Sequence, residues 1–199
     1  MAGTWQRLAH VELSSNGDSL DTGTFDVKEN LKVIMYRKRS GSVNSRIQLN
    51  GDTGSNYAAR YHGAGNSYGS DGTVTSQTSI YSHALTANDS YTIYNIINKA
   101  NKEKFMIIEE ANTNSSGAGN APDRSQTVAK WTNTSDSITS IQMINTDSGD
   151  LVAGSYITVF GATGDTVTDT TDNNSIFEEN DTGKHYIWNA TSDSWTEIG

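Results

Sequence analysis

Hydrophobic and polar residues alternate along short stretches of this chain, and turn-forming residues separate the stretches. The first alternating run extends from Trp5 to Leu13 and ends at Asn16-Gly17-Asp18, whose residue types favour a turn. A period of two residues is typical of strands that turn one face toward a core. The Gly/Ser/Asn-rich stretches 62–90 and 112–127 are predicted to be long surface loops. Further strands are predicted at 31–36, 47–49, 57–61, 91–97, 104–110, 138–144 and 155–160.

One stretch fits two periods. The apolar residues between Ile93 and Ala111 match a helical repeat of 3.6 residues as well as an alternating one. Lys104 would lie in the apolar seam of such a helix, and Asn98 is a poor residue for a helix interior. Because Tyr91-Thr92-Ile93-Tyr94 is also strongly strand-like, we predict a β-hairpin over 93–111.

The C-terminal part reads as a separate small module. Residues 163–175 form a polar, acidic bridge of low complexity, and three short strand-like segments follow in 176–199. A three-stranded meander of this size is too small to be stable alone. We therefore expect its aromatic side chains Tyr186, Trp188 and Trp195 to form an interface with the main domain or with a neighbouring subunit.

The composition is polar but not highly charged. Ser, Thr, Asn and Gly supply 85 of the 199 residues, and only 19% are Asp, Glu, Lys or Arg. Thr, Tyr, Trp and Val favour strands, whereas Ser, Asn, Gly and Asp favour turns. The predicted fold is therefore all-β: an antiparallel β-sandwich over 1–162, the linker 163–175, and the meander 176–199.

The charge is uneven along the chain. Residues 1–142 carry 13 basic and 13 acidic side chains, whereas residues 143–199 carry one basic and ten acidic side chains and supply the whole net charge of −9. Phosphate contacts require Lys or Arg, so we expect no nucleic-acid partner. The one basic run, Arg37-Lys38-Arg39, is interpreted as a solvated hairpin tip.

Other classes of protein are also disfavoured. No apolar run approaches the roughly 18 residues that a membrane span requires, so we expect no membrane insertion. The chain begins with a polar segment rather than a signal peptide. The absence of cysteine excludes a disulfide scaffold and a thiol nucleophile.

Three phrases of the sequence stand out as a set. The first, which begins at Leu49, contains Asn50, Gly51, Asp52, Gly54, Asn56 and Tyr57 around a turn whose Asn-Gly pair supplies positive φ angles. The second pairs Trp131 with Ser137-Ile138-Thr139-Ser140-Ile141. The third extends from Gly154 and Ser155 to Gly161. In this order the three phrases resemble a lectin-like β-sandwich (jelly-roll) domain of tailed-phage structural proteins, and the resemblance covers about residues 5–162.

The family resemblance implies a place in a virion. Its members occur in tail fibres and other virion appendages, usually behind a long attachment segment. The sandwich of this chain begins almost at Met1, so we expect a capsid decoration protein rather than a whole tail fibre. The meander resembles a short terminal module of such proteins through its Asp181-Thr182-Gly183-Lys184 turn and the following Tyr-Ile-Trp.

The residues that could carry catalysis are few. His10, His62, His83 and His185 lie far apart and match no metal-site or triad spacing. Glu109-Glu110 and Glu178-Glu179 are adjacent pairs, and neighbours on a strand point to opposite faces, which is the wrong geometry for a glycosidase. We expect no enzymatic activity and no cofactor.

Two stretches could supply the oxygen ligands that calcium requires. They are Asp165, Asp169 and Asp172 in the bridge, and Asn50, Asp52 and Asn56 in the first phrase. The favoured interpretation is that these side chains cap their own turns and hold no metal.

Aromatic residues beside polar loops offer a glycan-binding alternative, because sugar rings stack on aromatic faces. Tyr57, Tyr61, Tyr68 and Tyr81 are the candidates. Tyr57 and Tyr61 share a face with Ala59 and are better explained by packing, which leaves Tyr68 and Tyr81 as candidate glycan contacts.

The sequence therefore supports two main functional hypotheses. The first is a non-enzymatic surface protein of a phage virion, assembled in the host cytoplasm, that decorates the capsid through contacts with other virion proteins. It is expected to be a homo-oligomer, with three copies favoured. The alternative is a tail-tip module that binds a receptor or a host-surface glycan, and a stand-alone bacterial lectin or polysaccharide hydrolase is the weakest hypothesis.

Overall fold

The computed structural model describes residues 5–64, 71–81, 89–113, 116–163, 176–179, 182–189 and 194–198. The chain divides into one unit that ends at residue 164 and a second that spans 165–199. In the described part of the first unit the regular structure is β-strand throughout. Its strands are β1 (Gln6–Glu12), β2 (Ser19–Asp21), β3 (Asn30–Arg37), β4 (Arg39–Ser40), β5 (Ser45–Leu49), β6 (Tyr57–Ala64), β7 (Asp71–Gln77), β8 (Ile80–Tyr81), β9 (Ser90–Ile97), β10 (Lys104–Asn112), β11 (Asp123–Trp131), β12 (Ile141–Asn145), β13 (Asp150–Leu151) and β14 (Tyr156–Ala162).

The strands form a two-layered antiparallel sandwich, which confirms the predicted fold class. The large sheet has the order β1-β14-β3-β9-β10-β11-β6-β7, and the small sheet has the order β2-β12-β5-β8. A further short pair joins β13 to β4. Both sheets contribute to one buried apolar cluster, which includes Leu31, Val33 and Ile108 from the large sheet and Leu20 and Ile47 from the small one.

The predicted hairpin over 93–111 is confirmed. Strands β9 and β10 pair in antiparallel register, with Ile97 opposite Phe105, and Asn101 in the connecting turn has a left-handed φ of 57°. Burial alternates residue by residue along both strands. The apolar residues that also fitted a helical period are divided between the two faces of the sheet, with Ile96 inside and Ile97 outside.

The two predicted long loops are partly wrong. In the described parts of 62–90 and 112–127, β6 continues to Ala64, β7 and β8 follow, and β11 begins at Asp123. Strand β7 is an edge strand of Asp, Gly, Thr, Ser and Gln with one apolar residue, Val74, so it has no hydrophobic alternation to detect. The buried positions at the start of β11 are polar, so this strand also lacks the hydrophobic alternation by which it could have been predicted.

The Gly-rich turn between Leu49 and Tyr57 connects the two sheets. Strand β5 belongs to the small sheet and β6 to the large one. The turn begins with Asn50 and Gly51 at φ values of 52° and 67°. The strand predicted at 138–144 begins only at Ile141, because the preceding residues hydrogen-bond to side chains instead of to a neighbouring strand.

The C-terminal unit contains the predicted three-stranded meander. Strands β15 (Ile176–Glu179), β16 (Lys184–Asn189) and β17 (Ser194–Glu197) pair in antiparallel order. None of the side chains described in this unit is buried. Residues 164–175, which include most of the predicted linker, lie outside the described part of the chain.

The described residues include no helix with the length and apolar content needed to cross a bilayer.

Candidate functional site

Two of the three sequence phrases meet at the Asp52 carboxylate. Trp131 Nε1 donates a hydrogen bond of 2.6 Å to Asp52 Oδ2, although 79 residues separate the two positions. The Gly54 amide donates to Asp52 Oδ1 at 2.8 Å, and Asn56 Nδ2 donates to Oδ2 at 2.9 Å. Each Asp52 carboxylate oxygen therefore accepts at least one hydrogen bond from an N–H donor.

Tyr57 completes this corner of the sandwich. Its ring stacks on that of Trp131 with 6.4 Å between centroids and 15° between planes, and both residues are almost completely buried. The Tyr57 hydroxyl donates to the Asp52 carbonyl oxygen at 2.9 Å and accepts from the Leu49 amide at 3.1 Å. Burial raises the pKa of Tyr57 to about 12. Tyr57 is thus a core residue and not an exposed stacking surface for a sugar.

Asn50 joins the first phrase to the segment after Trp131. Its Nδ2 donates to the Ser137 carbonyl oxygen at 2.8 Å, and its Oδ1 accepts from the amides of Thr139 and Ser140 at 2.8 and 3.1 Å. One side chain therefore satisfies three backbone groups of a segment that has no strand partner of its own. We call Asn50, Asp52, Asn56, Tyr57 and Trp131 the corner cluster.

The third phrase also connects separate segments of the chain, through a hydrogen-bonded contact between Ser155 and Lys38. The buried Ser155 hydroxyl donates to the Lys38 carbonyl oxygen at 3.0 Å and accepts from the Lys38 amide at 2.9 Å. Gly154 has a φ of 88°, which favours glycine. A Cβ atom at Gly161 would lie 2.6 Å from Leu8 Cδ1 and 2.6 Å from Lys28 Cγ, so a larger residue would require these side chains to shift. These residues hold strands together.

We expect Asp52→Asn to lower the free energy of unfolding by about 1–3 kcal/mol at pH 7, because an amide cannot accept all the hydrogen bonds that the carboxylate accepts. Burial disfavours the charged form of Asp52, but hydrogen bonds from Trp131, Asn56 and Gly54 outweigh it and lower the pKa. A carboxylate with a depressed pKa stabilises the fold above its unfolded pKa of roughly 3.9, and this stabilisation is lost as the pH falls through the folded value.

Urea denaturation from pH 7 to pH 3 measures both effects. The difference in stability between the wild type and Asp52→Asn is expected to shrink below about pH 4, where the unfolded chain binds the proton more readily than the folded protein. The matched control is Asp21→Asn, because the Asp21 carboxylate accepts a single exposed hydrogen bond from Gly23. A gap that stays constant down to pH 3 would contradict the proposed role of the Asp52 charge.

The interpretation of Arg37-Lys38-Arg39 as a solvated hairpin tip is wrong for Arg37. Its side chain is buried and lies 3.5 Å from the equally buried Glu110 carboxylate. Arg37 Nη1 also donates to Ser45 Oγ at 2.8 Å, which links the large sheet to the small one. The signal was present in the sequence, since Arg37 continues the inward series Leu31, Val33 and Met35. Glu109 and Glu110 do point to opposite faces of the sheet, as predicted.

Lys104 is a second buried cation that the sequence analysis did not assign to a site. Its ammonium donates to the carbonyl oxygens of Lys102 and Asn133 at 2.7 and 3.1 Å and lies 5.9 Å from the centre of a Trp131 ring. Burial lowers the pKa of Lys104, and the nearby Asp136 carboxylate opposes that shift. The backbone oxygens and the indole ring around it indicate a structural role.

The outer face of the large sheet is unusually apolar. In the described part of the first unit, six of the seven most exposed large apolar side chains lie on this face or at its rim, and only Val27 lies elsewhere. The register brings Phe105 beside Ile97 and Ile107 beside Val128 on neighbouring strands. We call this outer surface the apolar face; its exposed members are Trp5, Tyr91, Ile97, Phe105, Ile107 and Val128.

Two depressions mark the apolar face. One of about 420 Å³ lies between Trp5, Ile97, Phe105 and Ile107. A second of about 440 Å³ lies toward the β7 edge, where His62 Nδ1 is 2.8 Å from Asp71 Oδ1. Gln126 and Arg60 line this second depression, so it is the more polar of the two. The apolar face was not predicted from the sequence, because alternation alone does not show that both faces of β9 and β10 are apolar.

The remaining candidates are dispersed or lie outside the described residues. Tyr68, His83 and the three bridge aspartates Asp165, Asp169 and Asp172 belong to stretches that are not described, and for Tyr81 only the backbone in β8 is described. His10 and His62 occur on opposite edge regions of the large sheet. Among the described residues, no group of three or more His, Cys, Asp or Glu side chains could hold a metal ion.

The three interface candidates of the meander lie on one face of its sheet. Trp188 pairs with Trp195 across β16 and β17, with 5.3 Å between ring centroids. Tyr186 lies two residues before Trp188 on β16. Beside Tyr186, Lys184 Nζ lies 3.0 Å from the Glu197 carboxylate. Trp195 remains 42% exposed and Ile176 on another strand 65% exposed. The meander thus leaves much of its apolar surface open to a partner.

Comparisons with protein-family models, with curated proteins and with solved structures find no match to this chain.

Proposed function

We propose that this protein is a non-enzymatic structural protein on the surface of a tailed-phage virion, and that it decorates the capsid through protein–protein contacts. The apolar face is the observation that carries the proposal. Contiguous exposed apolar surface with a polar rim is typical of protein interaction sites. The phage assignment rests on the resemblance of the three sequence phrases, of which the first two meet in the corner cluster.

The arrangement of the polar side chains supports a structural function over a catalytic one. Asp52, Asn50 and Ser155 are engaged with backbone or indole groups within the sandwich. The buried Arg37 and Glu110 face each other in the interior, where a substrate does not reach. These groups connect strands, and the outer surface they support is apolar.

The alternative is a module at the tail tip that binds a receptor or a glycan. The depression lined by Arg60, His62, Asp71 and Gln126 favours this alternative, because it combines amide, imidazole and carboxylate groups that can bind sugar hydroxyls. Binding to a glycan array that is lost in Gln126→Ala and His62→Ala would support it. The capsid-decoration proposal expects no glycan signal above background.

Locating the chain on particles tests the main proposal directly. Virions that carry the gene for a tagged chain should show label distributed over the head in immunogold or cryo-electron microscopy. Label confined to the tail tip would overturn the capsid assignment and favour the receptor-binding alternative. Absence of the protein from purified virions would overturn both.

Deletion of residues 163–199 is expected to reduce the coating of particles strongly. The meander carries exposed Trp195 and Ile176 in a strongly acidic segment, so a basic, apolar shell surface would hold it. The measurement is the number of copies per particle, with binding at several salt concentrations, since electrostatic docking weakens as salt rises. The matched control is Val27→Ala, which changes an exposed apolar residue outside the apolar face and leaves the acidic segment intact. A truncated chain that coats particles as densely as the full chain would show that the C-terminal unit has no part in docking.

A further inference from the structure

From the apolar face we propose a specific partner, a second copy of this chain, so that two large sheets pack face to face. This inference rests on the proposed function only in treating the apolar face as a protein-binding surface. It does not depend on where in a virion the protein lies. Face-to-face packing of two sheets is an established arrangement, with the sheets about 10 Å apart and their strands nearly aligned.

The size of the face fits a two-copy contact. Eight strands at about 4.8 Å spacing give a sheet about 34 Å wide, and strands of 8–9 residues such as β9 and β10 are about 28 Å long. The resulting area of about 950 Å² for the whole sheet face is comparable with the roughly 800 Å² that each partner contributes to a stable interface. Its centre is apolar at Ile107, Phe105 and Val128, and charged residues lie around that centre.

The charges on the face are compatible with a second copy of the same chain, although the chain as a whole is strongly acidic. Two chains that each carry a net charge of −9 repel one another wherever the acidic surplus is exposed. The outer face lacks that acidic surplus, since its charged positions are five bases and three acids. By strand register, the bases are Arg7, Lys32, Arg60, Arg124 and Lys130, and the acids are Glu12, Asp71 and Glu109.

The presence of both basic and acidic residues on the face also allows opposite charges of the two copies to pair. In a two-fold contact each copy offers the same residues to the other, so a face with both bases and acids can pair with itself. Lys32 on β3 and Glu109 on β10 are one such pair of opposite charges, and β9 lies between their strands. A two-fold contact involves two copies, whereas the sequence alone favoured three.

Sedimentation velocity of the full chain over a concentration series tests the inference. The wild type is expected to sediment as a dimer that dissociates on dilution. Ile107→Lys places a charge at the centre of the contact and is expected to weaken association at least tenfold. Val27→Lys is the matched control, because Val27 is also 51% exposed but lies away from the face. Dimers of Val27→Lys should be as stable as those of the wild type.

Three results would overturn the inference. They are a wild type that is monomeric at every concentration, an assembly of three copies, and equal association of Ile107→Lys and the wild type. If the wild type is monomeric but still coats virions, the partner of the apolar face is a different virion protein. The failure of this inference is therefore distinguishable from the failure of the proposed function.

The absence of cysteine permits a second, independent measurement. Ile107→Cys treated with a bis-maleimide of about 10 Å span should form covalent dimers in high yield, because the two sheets would lie about that far apart. Val27→Cys should not. Equal cross-linking of the two variants would indicate random collision and overturn the proposed geometry.

Discussion

Replacing Trp131 by alanine is expected to lower the free energy of unfolding by about 3–5 kcal/mol, the range for removing a fully buried large aromatic side chain. Trp131 has no exposed surface, stacks on Tyr57 and donates its indole N–H to Asp52. The substitution removes all three contributions and opens a cavity where the turn between the sheets meets β11. Urea or guanidinium denaturation at pH 7 measures the loss.

Two further variants separate the causes. Trp5→Ala removes the same side chain from a position that is 52% exposed, so it should change stability by no more than about 0.5 kcal/mol. Trp131→Phe keeps much of the buried ring but loses the hydrogen bond to Asp52, and its cost should lie between those of the two alanine variants. An unchanged denaturation midpoint for Trp131→Ala would contradict the placement of Trp131 in the core.

Replacing Glu110 by glutamine is expected to destabilise the protein by about 3–5 kcal/mol, because it leaves the buried Arg37 guanidinium without a compensating charge. The two groups lie 3.5 Å apart, and each side chain is almost completely shielded from water. The effect measures the cost of an isolated buried charge. It does not measure the net value of the pair, which can be close to zero.

The neighbouring residue provides the control. Glu109→Gln makes the same chemical change one position along β10, on the exposed face, and should have an effect within about 0.5 kcal/mol. A double variant, Arg37→Met with Glu110→Leu, should be less destabilised than Glu110→Gln alone, since neither charge remains. If Glu109→Gln and Glu110→Gln cost the same, the buried ion pair has no energetic role.

The sequence indicated that residues far apart in the chain belong to one motif, but it did not show which contacts join them. The phrase from Asn50 to Tyr57 and the position of Trp131 were selected from their order in the chain. The 2.6 Å hydrogen bond between Trp131 and Asp52 depends on how the two sheets are joined. Asn98 was considered only as a poor helix former. In the fold it is completely buried and exchanges two hydrogen bonds with the backbone of Ile138.

Local periodicity by itself determined the all-β class, the hairpin of β9 and β10, and the C-terminal meander, because strand formation and tight turns depend on neighbouring residues. It did not reveal strands whose inward residues are polar, such as the start of β11, since their burial is set by partners from other strands. The tertiary structure alone decided which face of the large sheet is covered. Ile96 and Ile97, like Ile107 and Ile108, are adjacent isoleucines of equal hydrophobicity. The small sheet covers one side of the large sheet, so Ile96 and Ile108 form the core while Ile97 and Ile107 remain exposed on the apolar face.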